Sequence, residues 1–184
     1  MRYIRNVLER WNLFDYAKFE DAIVHVMEQS LKKYRDIHDD LYIVSLDCCG
    51  EMSSMGLIAN TKAYLAEQTD MSTEDHWYYK YCEEEWCIFD TFEKISFEMY
   101  DYMQKMHVSD VDKFDNHRNN IIAACKKALC RLVVSPFYQE YATILLTFNI
   151  REYLEQEERI ALFELFNGKT MAATEYAEHI EDFV

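Results

Sequence analysis

Leu41-Tyr42-Ile43-Val44-Ser45-Leu46-Asp47, continuing through Cys48-Cys49-Gly50-Glu51-Met52 into Ser53-Ser54-Met55-Gly56-Leu57-Ile58-Ala59, carries the strongest β signal in the chain. Its first run is β-branched and aromatic, follows the polar Asp36-Ile37-His38-Asp39-Asp40, and is too short for a helix. It reads as a mostly buried strand. Gly50-Glu51 supplies a turn, and residues 53 to 59 form a second strand, so a β-hairpin is expected.

Upstream of the hairpin, Tyr16, Phe19, Ile23, Met27, Leu31 and Tyr34 recur at steps of three and four, the stripe of an amphipathic helix with Asp15 as its N-cap. Tyr3, Ile4, Val7, Leu8 and Trp11 suit a shorter helix before it. Downstream, Asn60 or Thr61 caps a short helix that ends near Thr69-Asp70. The aromatic and acidic segment from His76 to Phe89 should form another strand in its second half. Asp90 with Glu93 resembles a capping box for a helix carrying Phe92, Ile95, Met99, Met103 and Met106.

A longer helix is expected from about Val111 to Val134, stopped at Ser135-Pro136 because proline disfavours helix in the residue before it. Tyr141 to Ile150 is a further strand candidate, and Glu152 to Phe166 a helix closed by Asn167-Gly168, where glycine can take the left-handed cap. The tail from Thr170 to Val184 has room for one more short helix. The expected fold class is therefore α+β: a small, mainly antiparallel sheet of about four strands flanked by several helices, in one domain over residues 1–184.

Half of the 184 residues are hydrophobic and 15% are aromatic, ample for a sizeable core. The charged N-terminal residues lack the apolar region of a secretory signal, and the longest apolar run, residues 142 to 148, falls far short of the roughly 18 residues of a membrane span. Six irregularly spaced cysteines read as free thiols. A soluble, cytoplasmic protein is the expectation.

The net charge is −15, from 34 acidic and 19 basic residues, which argues against nucleic acid or an anionic membrane as partner. The acids are segregated. Residues 67 to 101 hold 11 acids against 2 bases, and residues 152 to 184 hold 9 against 2. Such blocks describe one or two acidic faces better than a solubilising charge spread evenly.

Only Gly50, Gly56 and Gly168 are present, so there is neither a glycine-rich phosphate loop nor a dinucleotide fingerprint. A zinc site could be imagined from His76, Cys82 and Cys87 with Cys48 or Cys49, but the spacing lacks a tight knuckle, and buried apolar cysteines are the reading adopted. No metal and no cofactor are expected. Cys125 and Cys130 diverge around a helix and read as packing residues. A cysteine nucleophile needs a histidine base, and no local feature selects a pair; Cys49, beside the Gly50 turn, comes nearest among the thiols, and a core cysteine at a strand end is the reading adopted. Glu83-Glu84-Glu85 reads as a solvated acidic edge, and Trp77, Tyr78, Tyr79, Tyr81 and Trp86 as core filling with some interface anchors.

The order of Leu41 to Leu46, Gly56-Leu57-Ile58-Ala59-Asn60-Thr61, Tyr78-Tyr79-Lys80-Tyr81 and Glu85-Trp86 resembles the bacterial family called domain of unknown function 4303. That resemblance would cover nearly the whole chain and implies a small antiparallel sheet flanked by helices, with no assigned reaction and no catalytic residue. Where the family pattern suggests a proline-containing turn, this chain has Cys82-Glu83-Glu84. Families of this type include suspected immunity proteins that neutralise toxins.

The leading expectation is a non-catalytic protein-binding module, an immunity-type inhibitor of a basic toxin being one form of it. Trp77, Tyr79, Glu83, Glu84, Glu85 and Trp86 are its candidate partner-binding residues. The alternative is a small hydrolase or ligand-binding domain with a pocket between sheet and helices, near Tyr79, Glu85 and Cys49.

Overall fold

Residues 41 to 47 do form a strand, and it lies at the centre of the sheet. A computed structural model describes residues 14–73, 75–106, 111–141, 143–151 and 153–182. In chain order the described elements are α1 (Tyr16–Ile37), β1 (Leu41–Cys48), β2 (Met55–Thr61), α2 (Lys62–Gln68), α3 (His76–Tyr81), a 3-10 turn (Glu83–Glu85), β3 (Ile88–Thr91), α4 (Glu93–Lys105), α5 (Val111–Val133), α6 (Pro136–Gln139), β4 (Leu145–Ile150), α7 (Gln156–Asn167) and α8 (Met171–His179). A further 3-10 turn, Ile180–Asp182, follows α8. The helix expected around Tyr3 to Trp11 lies outside the described residues.

The strand order is β3-β2-β1-β4. β1 pairs antiparallel with β2, and β2 with β3, while β4 runs parallel to β1. The fold is thus α+β with a four-stranded, mostly antiparallel sheet. All eight residues of β1 are buried, which requires cover on both faces. A register irregularity between Leu41 and Ile43 puts Tyr42 and Ile43 on one face.

On the opposite face, Val44, Leu46, Leu57, Ala59, Leu146 and Phe148 pack under α1, α4 and α5 in the larger core. Ile23, Met27 and Leu31 of α1 are fully buried there, as the stripe predicts. The second face carries the smaller core, where Tyr42, Ile43 and Ile58 meet Tyr81, Trp86, Phe163 and Tyr176. α7 lies along β4 and feeds both cores, with Leu162 and Phe166 in one and Phe163 in the other.

Some local readings need correction. Asp90 does not cap α4: it sits in β3 and bridges Lys33 at 3.0 Å, while the N-cap residue is Phe92 with no side-chain bond. The turn at Gly50-Glu51 is present, and the residue with positive φ in the hairpin connection is Met52 at 54°. Its side chain is wholly buried beside Cys48 Sγ, at 3.8 Å, and that burial offsets the backbone cost. Gly50 is required for another reason, since a Cβ there would stand 2.9 Å from the Arg151 carbonyl oxygen. Finally, the fourth strand begins at Leu145 rather than Tyr141.

Other local signals hold. Asp15 caps α1 by accepting from the Lys18 backbone N–H, Thr61 caps α2, and Ser135 caps α6 directly before Pro136. Gly168 ends α7 as expected, but at φ 69° and ψ −177° rather than in the left-handed helical cap, a positive-φ conformation open essentially to glycine alone. Among the described residues no helix is long and apolar enough to cross a membrane.

Candidate functional site

The second face of the sheet gathers the chemistry. Its cover begins with α3, which Tyr42 and Asn60 tie to the sheet. The Tyr42 hydroxyl donates to the Lys80 carbonyl at 2.9 Å, and Asn60 Nδ2 donates to the Tyr42 hydroxyl at 3.2 Å and the Tyr79 carbonyl at 3.3 Å. Tyr42, Asn60 and Tyr78 to Tyr81, which carry the family resemblance, therefore meet at one joint between strand and helix.

α8 packs beside α3. The Trp77 and His179 rings stack at 4.2 Å, and Lys80 Nζ bridges Glu175 at 2.7 Å while sitting 4.8 Å over the Trp77 ring. Burial alone would raise the Glu175 carboxyl, but Lys80 and the Tyr81 hydroxyl outweigh it and hold it below the usual range. Parts of the two acidic blocks are thus brought together on one layer. The first block is also divided: α3 and the Glu83–Glu85 turn lie on this face, while α4, with Glu93, Glu98 and Asp101, covers the other.

The six residues expected to contact a partner separate into two groups. Glu84 is exposed, and Trp77, Tyr79 and Glu85 are half-buried. The Tyr78 hydroxyl donates to Glu85 at 2.8 Å. Glu83 and Trp86 instead lie inside, 4% and 2% exposed. Trp86 belongs to the smaller core. Glu83 is not part of a solvated edge: the 3-10 turn points it inward, where it accepts from Arg159 Nη2 at 2.8 Å. Burial raises the Glu83 carboxyl and Arg159 partly offsets it, so the pair stands as a buried ion pair near Tyr176.

At the far end of the same face the helices stop, and a cavity of about 220 Å³ opens over β2 and β3. Asp47, Cys49, Ser54, Phe89, Thr91 and Arg151 are among its lining residues. Arg151 arrives there because β4 runs parallel beside β1 and its following residue donates a backbone hydrogen bond to the Cys48 carbonyl at 3.2 Å. Its Nε then donates to Asp47 Oδ2 at 3.2 Å. Burial outweighs this partner and raises the Asp47 carboxyl. Asp47 Oδ1 is buried with no hydrogen-bond partner among the described residues.

Cys49 does line this cavity, whereas Tyr79 and Glu85 do not. Burial by itself would raise the Cys49 thiol, but hydrogen bonds from Ser53 and Ser54 prevail and lower it. Asp47 and Arg151 were missed as site residues by sequence reasoning. The available signal was an acid at the end of an otherwise apolar buried strand, a place where charge must find a partner. Nothing local marked Arg151. His76 and Cys82 are buried and Cys87 is exposed, and among the described residues no three His, Cys, Asp or Glu side chains gather as metal ligands would.

Searches of curated proteins and of solved structures find no match to this chain. A family match is found, to the family described as Domain of unknown function (DUF4303), over residues 19–168. That span runs from the first buried residue of α1 to the glycine closing α7, so it takes in the whole sheet, the joint at Tyr42 and Asn60, and the cavity; the chain belongs to this family of unknown function.

Proposed function

We propose that the chain is a protein-binding module that presents the α3 and α8 side of its sheet to a basic protein partner, as an immunity-type inhibitor would meet the cationic cleft of a toxin. The observation that carries this reading is the meeting of the two acidic blocks on one layer. Glu84, Glu178 and Glu181 are exposed there, beside the half-buried Trp77 and Tyr79. Concentrated charge of one sign speeds encounter with the opposite sign, and aromatic side chains at its centre supply contact area with few rotamers to immobilise. Glu83 and Trp86 serve the same face from beneath, by holding the 3-10 turn in place.

The test is retention of basic proteins from the native cell on the immobilised full chain, eluted by a salt gradient. A partner is then purified and titrated against wild type and a Glu84→Gln, Glu85→Gln, Glu178→Gln, Glu181→Gln variant. Loss of four rim charges should weaken binding by about tenfold or more at low salt and flatten its salt dependence. Equal affinity and an equal salt slope for the two proteins would remove the proposal.

One observation favours a second reading, a ligand-binding or hydrolytic domain: the cavity holding Asp47, Cys49 and Arg151. A cysteine hydrolase uses a histidine base beside the thiol, and among the described residues no histidine lines this cavity. The acidic face is therefore the reading adopted.

A further inference from the structure

The two edges of the sheet are finished differently. At β4 the edge is closed by a side chain: the Leu146 N–H donates to Asn167 Oδ1 at 2.9 Å, and Asn167 Nδ2 donates to the Leu146 carbonyl at 2.7 Å. At β3 the Phe92 N–H donates to the Met55 carbonyl at 2.9 Å, and the antiparallel register sets Asp90 opposite Leu57 and Ile88 opposite Ala59. Backbone direction alternates along such a pair. Ile88 and Asp90 therefore turn their N–H and C=O groups to β2, while Phe89 and Thr91 turn theirs away from it. Among the described residues no strand lies on that side.

Apart from its four-residue length and Asp90, β3 has none of the devices that guard an open edge, with no lysine and no proline among its residues. It presents instead Phe89, 59% exposed, and the exposed Thr91. Both line the cavity of about 220 Å³. The carboxylates there are already paired, Asp47 with Arg151 and Asp90 with Lys33, which leaves the apolar wall of Met55, Ile58 and Phe89 to receive a side chain. An apolar cavity of about 150 Å³ takes up benzene, so this one has room for a leucine or phenylalanine side chain. The charge around the edge has one sign. Residues 84 to 93 contain Glu84, Glu85, Asp90 and Glu93 and no base, and Lys33 offsets one of the four.

We propose that the open edge of β3 takes up an extended basic segment of a protein partner as a fifth strand. The segment exchanges backbone hydrogen bonds with Phe89 and Thr91 and sets one apolar side chain in the cavity. Its alternate positions carry lysine or arginine toward the acids of residues 84 to 93. The assignment rests on the reading of a basic partner, and it extends that partner's contact from the Glu83–Glu85 turn to β3, which follows after two residues. A second copy of this chain is a poor occupant, because two chains of net charge −15 repel each other.

Random linear peptides displayed on phage are selected against the immobilised full chain, and a recovered peptide is synthesised and titrated by fluorescence anisotropy. It should be rich in Lys or Arg and weaken as salt rises. Its affinity should fall about tenfold or more on Thr91→Pro, which removes an outward N–H that β2 does not use. Circular dichroism checks the fold of that variant. A scan of single N-methylated amides in the peptide, made on the wild-type chain, should show losses at every second residue, the period of a strand edge. Basic peptides indifferent to Thr91→Pro, or N-methyl losses without that period, would overturn the edge site and leave the acidic face standing. Peptides that Thr91→Pro blocks but that lack Lys and Arg would overturn the basic occupant, and recovery of no peptide would overturn the site itself. A wild-type dimer in analytical ultracentrifugation that Thr91→Pro dissociates would assign the edge to a second copy instead.

Discussion

Acidification should destabilise this protein, and the largest histidine contribution is at His117. His117 on α5 is 1% exposed, its Nδ1 is 2.8 Å from the Tyr16 hydroxyl, and its Nε2 is buried with no partner among the described residues. Phe14, Tyr16 and Tyr102 surround the ring at centroid distances of 5.1, 5.7 and 4.6 Å. Burial among them lowers its pKa from 6.5 to about 4. The unfolded chain therefore takes up the proton first. The histidine's contribution is intact above pH 6.5 and is lost as pH falls toward 4, the change between pH 7 and pH 5 amounting to about 2 kcal/mol. Asp47 and Glu83 act in the opposite sense, because their carboxyls are raised on folding and favour the folded state as pH falls. A comparison with His117→Phe isolates the histidine, since the carboxyl effects are common to both proteins. Urea unfolding followed by tryptophan fluorescence at pH 7, 6 and 5 is the assay. The wild type should lose about 2 kcal/mol relative to the variant over that range. A difference that stays constant within about 0.5 kcal/mol would refute the reasoning, whatever its absolute value.

Two further predictions concern stability. Arg159→Met strands the Glu83 carboxylate and should destabilise by about 3–5 kcal/mol, whereas Arg159→Met with Glu83→Gln should recover most of the loss, as read by urea midpoints. Gly168→Ala has open space around the new methyl group but must adopt φ 69° and ψ −177°, so a cost of about 1–3 kcal/mol in thermal unfolding is expected from backbone conformation alone.

Much of the fold was legible because its elements are encoded by local periodicity. The stripe from Tyr16 to Tyr34, the run from Leu41 to Asp47, and the caps at Asp15, Thr61 and Gly168 each need only a few neighbouring residues to be read. Where a local rule misled, a distant partner had prevailed: Asp90 has capping-box spacing but is held in β3, paired with β2 and bridged to Lys33, 57 residues earlier. The three consecutive glutamates are a similar case. Composition makes them a solvated edge, but the turn rotates each to a different direction, and Arg159 draws Glu83 inside.

Fold class, the family resemblance and the segregation of acidic charge could all be read from the order of the residues. Tertiary structure alone decided what those features face. Asp47 meets Arg151 across 104 positions and Glu83 meets Arg159 across 76, through a parallel pairing of β4 with β1 and the packing of α7 along it. Local propensity carries no information about such pairings, because side-chain spacing within an element says which face is apolar but not which strand or helix will cover it. The burial of Glu83, the opening at Asp47 and the joining of two acidic blocks are all consequences of that cover.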